Sequence, residues 1–226
     1  MGYTKLLTGA AIAALLTAAP ALAINDDEAP DYLIMEPNAE VVFITTGGAE
    51  VRADWTAQAK ENLFSHFDTQ VGEQGFDTVA FDADAERNDQ LDQLLLLYEV
   101  VAQHAGDNMP HKGGVGSNMD LTLGSDAALL GDTYDSDYAV FIDHYSQIES
   151  GGVFMTQVMI GVATGYTPPS QNIRLTAGTV IDLQTGDLVD REWVVMGDPR
   201  DVDESANIVS RIMNNLDLAP VEETAE

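Results

Sequence analysis

The sequence predicts an α/β fold: one domain on a mixed sheet of about five strands, with flanking helices and a C-terminal β-hairpin plus closing helix. Three observations predict it. The first half alternates strand and helix patterns, an order that gives crossover connections and parallel pairing. Tyr138-Ala139-Val140-Phe141-Ile142 is apolar on both faces, as a central strand requires. Two alternating runs then flank a Gly-containing turn and lead into an amphipathic helix.

Taken in order, Val41-Val42-Phe43-Ile44 is a continuous apolar run that stops at Gly47-Gly48, which fits a buried strand. Asp54 is placed to cap a helix in which Trp55, Ala59, Leu63 and Phe67 recur every fourth residue. Asp77 to Phe81 reads as a second strand. Leu91, Leu94, Leu95, Tyr98, Val101 and Ala102 make a helical stripe within 86–105, and Gly106 ends it. Residues 106–120 are rich in glycine and read as a long loop. A short helix is expected within 124–130, before the central strand. Val153 to Thr164 is apolar and Met-rich, and its length favours a helix. Ile173 to Leu183 and Leu188 to Val195 form the hairpin around Gln184-Thr185-Gly186-Asp187. The closing helix spans 201–216, with Val202, Ala206, Val209, Ile212, Met213 and Leu216 facing inward.

The ends of the chain carry a different message. Lys5 precedes an apolar run from Leu6 to Ala19, Pro20 breaks it, and Ala21-Leu22-Ala23 offers small residues to a signal peptidase. Residues 1–23 read as a secretory signal peptide cleaved near Ala23, because the run is too short to cross a bilayer. The expected organisation is then an extended, mobile acidic segment at 24–39, an α/β domain at 40–218 and an acidic tail at 219–226. The expected location is the periplasm or the exterior.

Composition narrows the function classes. Thirty-eight acids against 9 bases give a formal net charge of −29, or −30 once Lys5 leaves with the leader. Such a charge repels nucleic-acid phosphates and anionic lipid. It fits either a solvated carboxylate surface suited to salt, or the binding of cations or a basic partner. The acids are spread along the chain, which favours the surface. There is no cysteine, hence no disulfide and no lipid-bearing residue for an anchor. No further stretch is long enough to span a membrane, and no motif asks for a cofactor.

Several residue groups are candidates for chemistry or contact. His104, Asp107 and His111 have spacing that can supply metal ligands, and zinc accepts His and carboxylate donors. His104 also ends a helix, where its charge suits the dipole. Gly113 and Gly114 open a glycine cluster with amides for an anion, but without the Gly-Lys-Ser/Thr ending of a phosphate loop. Asp143, His144 and Tyr145 follow the central strand, where α/β sheets bind ligands. Neighbours on an extended chain point to alternating faces, which works against a Ser/His/Asp triad with Ser146. Phe154, Met155 and Met159 suit either an adaptable partner surface or a core helix against the sheet, and the core is the favoured reading. Trp55 and Trp193 read as packed side chains.

A resemblance rests on the later residues: Asp137-Tyr138-Ala139-Val140-Phe141-Ile142, then Gly178-Thr179-Val180-Ile181-Asp182-Leu183-Gln184-Thr185-Gly186-Asp187-Leu188-Val189, and Gly197-Asp198-Pro199-Arg200, with Leu121-Thr122-Leu123-Gly124 upstream. Together they resemble a widespread family of exported bacterial proteins. Its architecture is similar to the curli secretion channel protein, to lipoprotein activators of penicillin-binding proteins and to the amino-terminal domain of the Tol translocation protein. The resemblance covers roughly 40–218. It departs in lacking the lipid-bearing Cys and in placing Asp190 where many relatives have Trp. It brings no catalytic residue to any position. It implies a non-enzymatic accessory or interaction protein of the cell envelope, whose partner is another envelope protein. Recognition by surface and loop then puts the expected contacts at 106–120 and 144–152, with Gly113, Gly114, Asp143, His144 and Tyr145 as the partner-binding residues. The alternatives are a small metal-dependent hydrolase using His104, Asp107, His111 or His144, and a soluble protein holding a small ligand at the strand ends.

Overall fold

In a computed structural model, which describes residues 31–83, 88–107 and 121–218, one mixed sheet organises the chain. Its strands are β1 (Tyr32–Ile34), β2 (Asn38–Thr45), β3 (Gly48–Val51), β4 (Thr78–Ala80), β5 (Tyr138–Glu149), β6 (Ile173–Asp182) and β7 (Leu188–Val195). The helices are α1 (Ala53–Glu73), α2 (Asp89–Asp107), α3 (Ala128–Tyr134), α4 (Gly151–Thr164) and α5 (Val202–Met213). A 3-10 turn at Ser125–Ala127 leads into α3.

The α/β class is as the sequence predicts, with seven strands where about five were expected. β3 is one addition, an exposed hairpin partner of β2. β1 is the other, and it lies inside the acidic segment expected to be mobile. Tyr32, Leu33 and Ile34 are fully buried. They pair in parallel with β4 on one side and β5 on the other. A strand of three residues is too short to show alternation, and the prolines and acids around it dominate the local composition.

β5 is the axis of the sheet. One edge pairs antiparallel with β6 from Tyr138 to Gln147. The other edge is shared: β1 takes Tyr138 to Val140, and β2 takes Asp143 to Glu149, both parallel. From Ile34 to Asn38 the chain advances four residues while its partner advances three, from Val140 to Asp143. The extra residue is a bulge-like break beside Pro37, which has no N–H for the ladder.

Helices cover both faces. On one face, α1 (Leu63, Phe67, Val71) and α5 (Ile208, Val209, Ile212) bury Tyr32, Ile34, Val140, Ile142, Val180 and Val194. On the other, α2 (Leu94, Tyr98, Val101) and α3 (Leu130) bury Leu33, Ala139, Phe141 and Ile181. The alternation along β5 divides its residues between these two cores, as its period of two requires. Gly178 on β6 is the point of closest approach on the first face. A Cβ there would stand 3.0 Å from Ile212 and 3.1 Å from Phe67.

The ends of the helices differ from their sequence reading in small ways. Asp54 lies in the first turn of α1, paired with Arg52 at 2.8 Å, while Arg52 holds the cap position without a side-chain bond. Asp201 caps α5 by accepting from the Glu204 amide at 3.0 Å, and Glu204 reaches back to the Asp198 amide at 2.6 Å. Val202 is exposed at the start of α5 rather than inward, and Ser205 takes its place in the core.

Candidate functional site

The strand-end candidates Asp143, His144 and Tyr145 all lie within β5, paired on both sides, so they are not a loop. His144 turns to the α1/α5 face. It is 4% exposed, and its Nδ1 lies 2.8 Å from Thr176 Oγ1 on β6. Its Nε2 is buried with no partner among the described residues. Burial pushes its pKa from 6.5 down to about 4; Asp198 pulls the other way and Arg174 adds a smaller push downward. It is a neutral imidazole at neutral pH.

Asp143 turns to the opposite face, under α2. Its Oδ2 accepts from the Tyr98 hydroxyl at 2.7 Å and from Arg191 Nη1 at 3.1 Å. Arg191 Nη1 also donates to Thr179 Oγ1, which lies beside it in register across β6 and β7. Burial raises the Tyr98 pKa above the usual phenol range, and the Asp143 charge raises it further. Burial works against the Arg191 cation, yet Tyr98 and Asp143 together hold its pKa above the ordinary value. This polar network links α2 to three strands and leaves Arg191 Nε buried without a partner among the described residues. Tyr145 is partly exposed on the same face and accepts a hydrogen bond from the Gln147 side chain. The three neighbours therefore do not converge on one site.

His104 stands exposed in the last turn of α2, and Asp107 is its final residue. His111, Gly113 and Gly114 lie outside the described residues, as does 108–120 of the expected contact loop. Among the described residues no three His, Asp or Glu side chains come together as a metal site. His144 is on the other side of the sheet from α2, so it cannot join His104 in one centre.

Among the described residues, a cleft of ≈ 170 Å³ lies at the β1–β2 break, just past the carboxyl ends of β1 and β4, whose following residues Met35 and Phe81 line it. Met35, Pro37, Asn38 and Tyr98 line it, together with the Lys60–Glu36 ion pair at 2.9 Å. Binding sites for small molecules usually measure about 300–1,000 Å³.

Where a strand-end site was expected, the chain instead builds α4. It fills the β5–β6 connection. Ser150 caps its start through the Val153 amide, and Gly165 ends it at φ +74°. Glu149 anchors the excursion: it accepts from Gln157 Nε2 at 2.8 Å, from the Gln171 amide at 2.7 Å and from Ser170 Oγ at 3.1 Å. These bonds, led by the Gln171 amide, hold the Glu149 pKa below its usual value.

The expectation that α4 is a core helix is overturned. None of its residues is buried. Phe154 is 58% exposed, Met155 57%, Met159 68% and Val162 85%. The half-buried side of the helix is the narrow stripe of Val153, Gln157 and Gly161. The polar side chain faces the protein and the apolar ones face outward, the reverse of an ordinary surface helix. One sequence signal could have exposed this: residues 150–173 contain no Asp, Glu, Lys or Arg, in a chain that is 21% charged. Both tryptophans are half-buried, Trp193 within β7 opposite Ala177. Trp55 meets Phe43 edge-on at 5.1 Å and lies between the guanidinium carbons of Arg52 and Arg200, at 4.2 and 4.1 Å.

No family model matches the chain, and no curated protein matches it. Solved structures similar to it include lipoprotein GNA1162 from Neisseria meningitidis, 11% identical over 83% of this chain and 99% of that one, with a TM-score of 0.32. The LpoB C-terminal domain from Salmonella enterica is 11% identical over 76% and 86%, with a TM-score of 0.29. The hypothetical protein CT253 from Chlamydia trachomatis is 9% identical over 82% and 92%, with a TM-score of 0.32. Likeness at these TM-scores carries no argument about activity or partner. Among the described residues, no helix is long and apolar enough to cross a membrane.

Proposed function

We propose that the protein is a non-enzymatic accessory protein of the cell envelope, exported to the periplasm or beyond by its leader, and that it works by apolar contact with another envelope protein. One observation carries this reading: the end of the sheet, where α/β folds commonly place a ligand, presents α4, an uncharged helix whose apolar side faces outward. Such a face is stable in water only at a cost, and contact with another apolar surface removes that cost. The sequence resemblance to exported envelope proteins supports the same reading. Asp143, a candidate from the sequence, is engaged by Tyr98 and Arg191, and His144 Nδ1 by Thr176.

A photo-crosslinking residue at Met159, in cells making the protein, tests this. The expected result is a discrete adduct with an envelope protein, absent when the same residue replaces Glu61 on the exposed side of α1. Equal labelling from both positions, or none from Met159, would count against α4 as the contact.

A further inference from the structure

We propose that the envelope protein covering α4 is a second copy of this chain, packed as a two-fold symmetric pair of α4 helices; this rests on α4 being the contact surface. Charge is the first argument. Carboxylates around a contact would let so acidic a chain, of net charge −29, steer and orient a basic partner. α4 and the turn after it do the opposite. From Ser150 to Ile173 every position is uncharged. That is the requirement of an isologous contact, in which residues near the axis meet their own twins. A carboxylate there would face a carboxylate, and in so acidic a chain only a cleared patch lets two copies approach.

Area is the second argument. Phe154, Met155, Val158, Met159, Ile160 and Val162 expose an area on the order of 600 Å², above what scattered surface hydrophobics give. Covered completely, the two patches together would bury at most about 1,200 Å², the lower end of stable, specific interfaces. Tyr166, 64% exposed just after the Gly165 cap, enlarges the patch. Geometry is the third. α4 fills the β5–β6 connection and is held at both ends through Glu149, so its outward apolar side is a fixed surface. Methionines at 155 and 159 let the two faces adapt to one another.

The exported protein, purified without detergent, is examined by sedimentation at about 100 μM, a concentration that populates even a micromolar dimer. A dimer is expected, and its dissociation constant falls as NaCl rises, because salt screens the repulsion between two acidic bodies. Met159→Asp with Val162→Asp is expected to weaken the pair by about 30-fold or more, with an unchanged circular dichroism spectrum. As the chain has no cysteine, a single Met155→Cys variant supplies a folded control that a short bismaleimide should join into covalent dimers. A wild-type monomer at every salt concentration overturns the proposal, as does a dimer indifferent to the two aspartates. Flotation with phosphatidylcholine vesicles, lost in the aspartate variant, overturns it in favour of a lipid surface. If the protein is monomeric yet Met159 crosslinks a different envelope protein in cells, self-pairing fails and α4 docking stands. If neither occurs, both fail.

Discussion

At the scale of single residues, His144 has the most measurable consequence. Its pKa is 6.5 in an unfolded chain and about 4 when buried here. Between those values the unfolded chain binds more protons, so stability falls as pH drops from 6.5 toward 4 and levels off below. The full effect is about 3 kcal/mol, with a slope near 1.4 kcal/mol per pH unit. Urea unfolding of the wild type and of His144→Gln across this range should show that slope in the wild type and its loss in the variant. The difference between the two is the quantity to read, because the carboxylates titrate nearby in both proteins. A parallel slope in both would mean that His144 charges freely in the fold. Asp143 makes a different point. Asp143→Ala strands the Arg191 guanidinium, 12% exposed, without its carboxylate, and should cost about 3 kcal/mol or more. The double variant Asp143→Leu with Arg191→Met should cost less than that single change, by the same denaturation measurement. The sequence argues against Asp143 and His144 converging, since neighbours on an extended chain alternate, but it does not show that β5 runs on through them. Nor does it show what each side chain meets there, because Tyr98, Thr176 and Arg191 come from distant parts of the chain.

At the scale of elements, legibility tracked how much an element depends on its own residues. The hairpin β6–β7 announced itself through alternation and a glycine turn. Gly186, at φ +79°, lies so close to Gly124 that a Cβ would stand 2.1 Å from its carbonyl oxygen. The helices α1 and α5 showed their stripes. β1 did not, being three residues whose burial is set by β4 and β5 on either side. The outer half of β5 also went unread, since Asp143 to Glu149 is polar enough to pass for a loop. α4 was read correctly as a helix and wrongly as core: composition reports apolarity but not what covers it. Two element-scale outcomes follow from the packing. Gly178→Ala pushes a methyl against Ile212 and Phe67, and should cost about 1–3 kcal/mol in urea unfolding. Gly151→Ala meets nothing within 4 Å and should be neutral or slightly stabilising. Glu149→Ala cuts four bonds that hold the two ends of the α4 excursion. Hydrogen exchange should quicken through 151–172 while protection in β5 and β6 near Val140 and Val180 stays as it was. Faster exchange throughout would show that α4 is part of the global fold rather than an appended contact element.

At the scale of the whole molecule, charge sets the behaviour. With 38 acids and 9 bases, most carboxylates have no basic partner available to them. Their mutual repulsion opposes folding, because the compact state brings them closer than the open chain does. Screening shortens the reach of that repulsion from about 10 Å in 0.1 M salt to about 3 Å in 1 M. The melting temperature should therefore rise between 0.1 M and 1 M NaCl, by roughly 5 °C or more for a domain of this size. The alternative, that the acids hold specific cations, makes a separate claim. A dedicated calcium site would saturate at a fixed stoichiometry and stabilise the protein at sub-millimolar calcium under constant ionic strength, by mass action. A diffuse carboxylate surface would not. The acids are distributed along the chain, and the described ones include no three-ligand cluster. The expected outcome is thus a salt-dependent melt with no saturable calcium titration by calorimetry. A flat melt across the salt range would mean that the charges are already spaced beyond one another's reach. A stoichiometric calcium isotherm would instead place a real site in the fold. Only the first pattern, stabilisation by ionic strength alone, agrees with a body whose carboxylates serve solvation and whose uncharged α4 surface is left for contact.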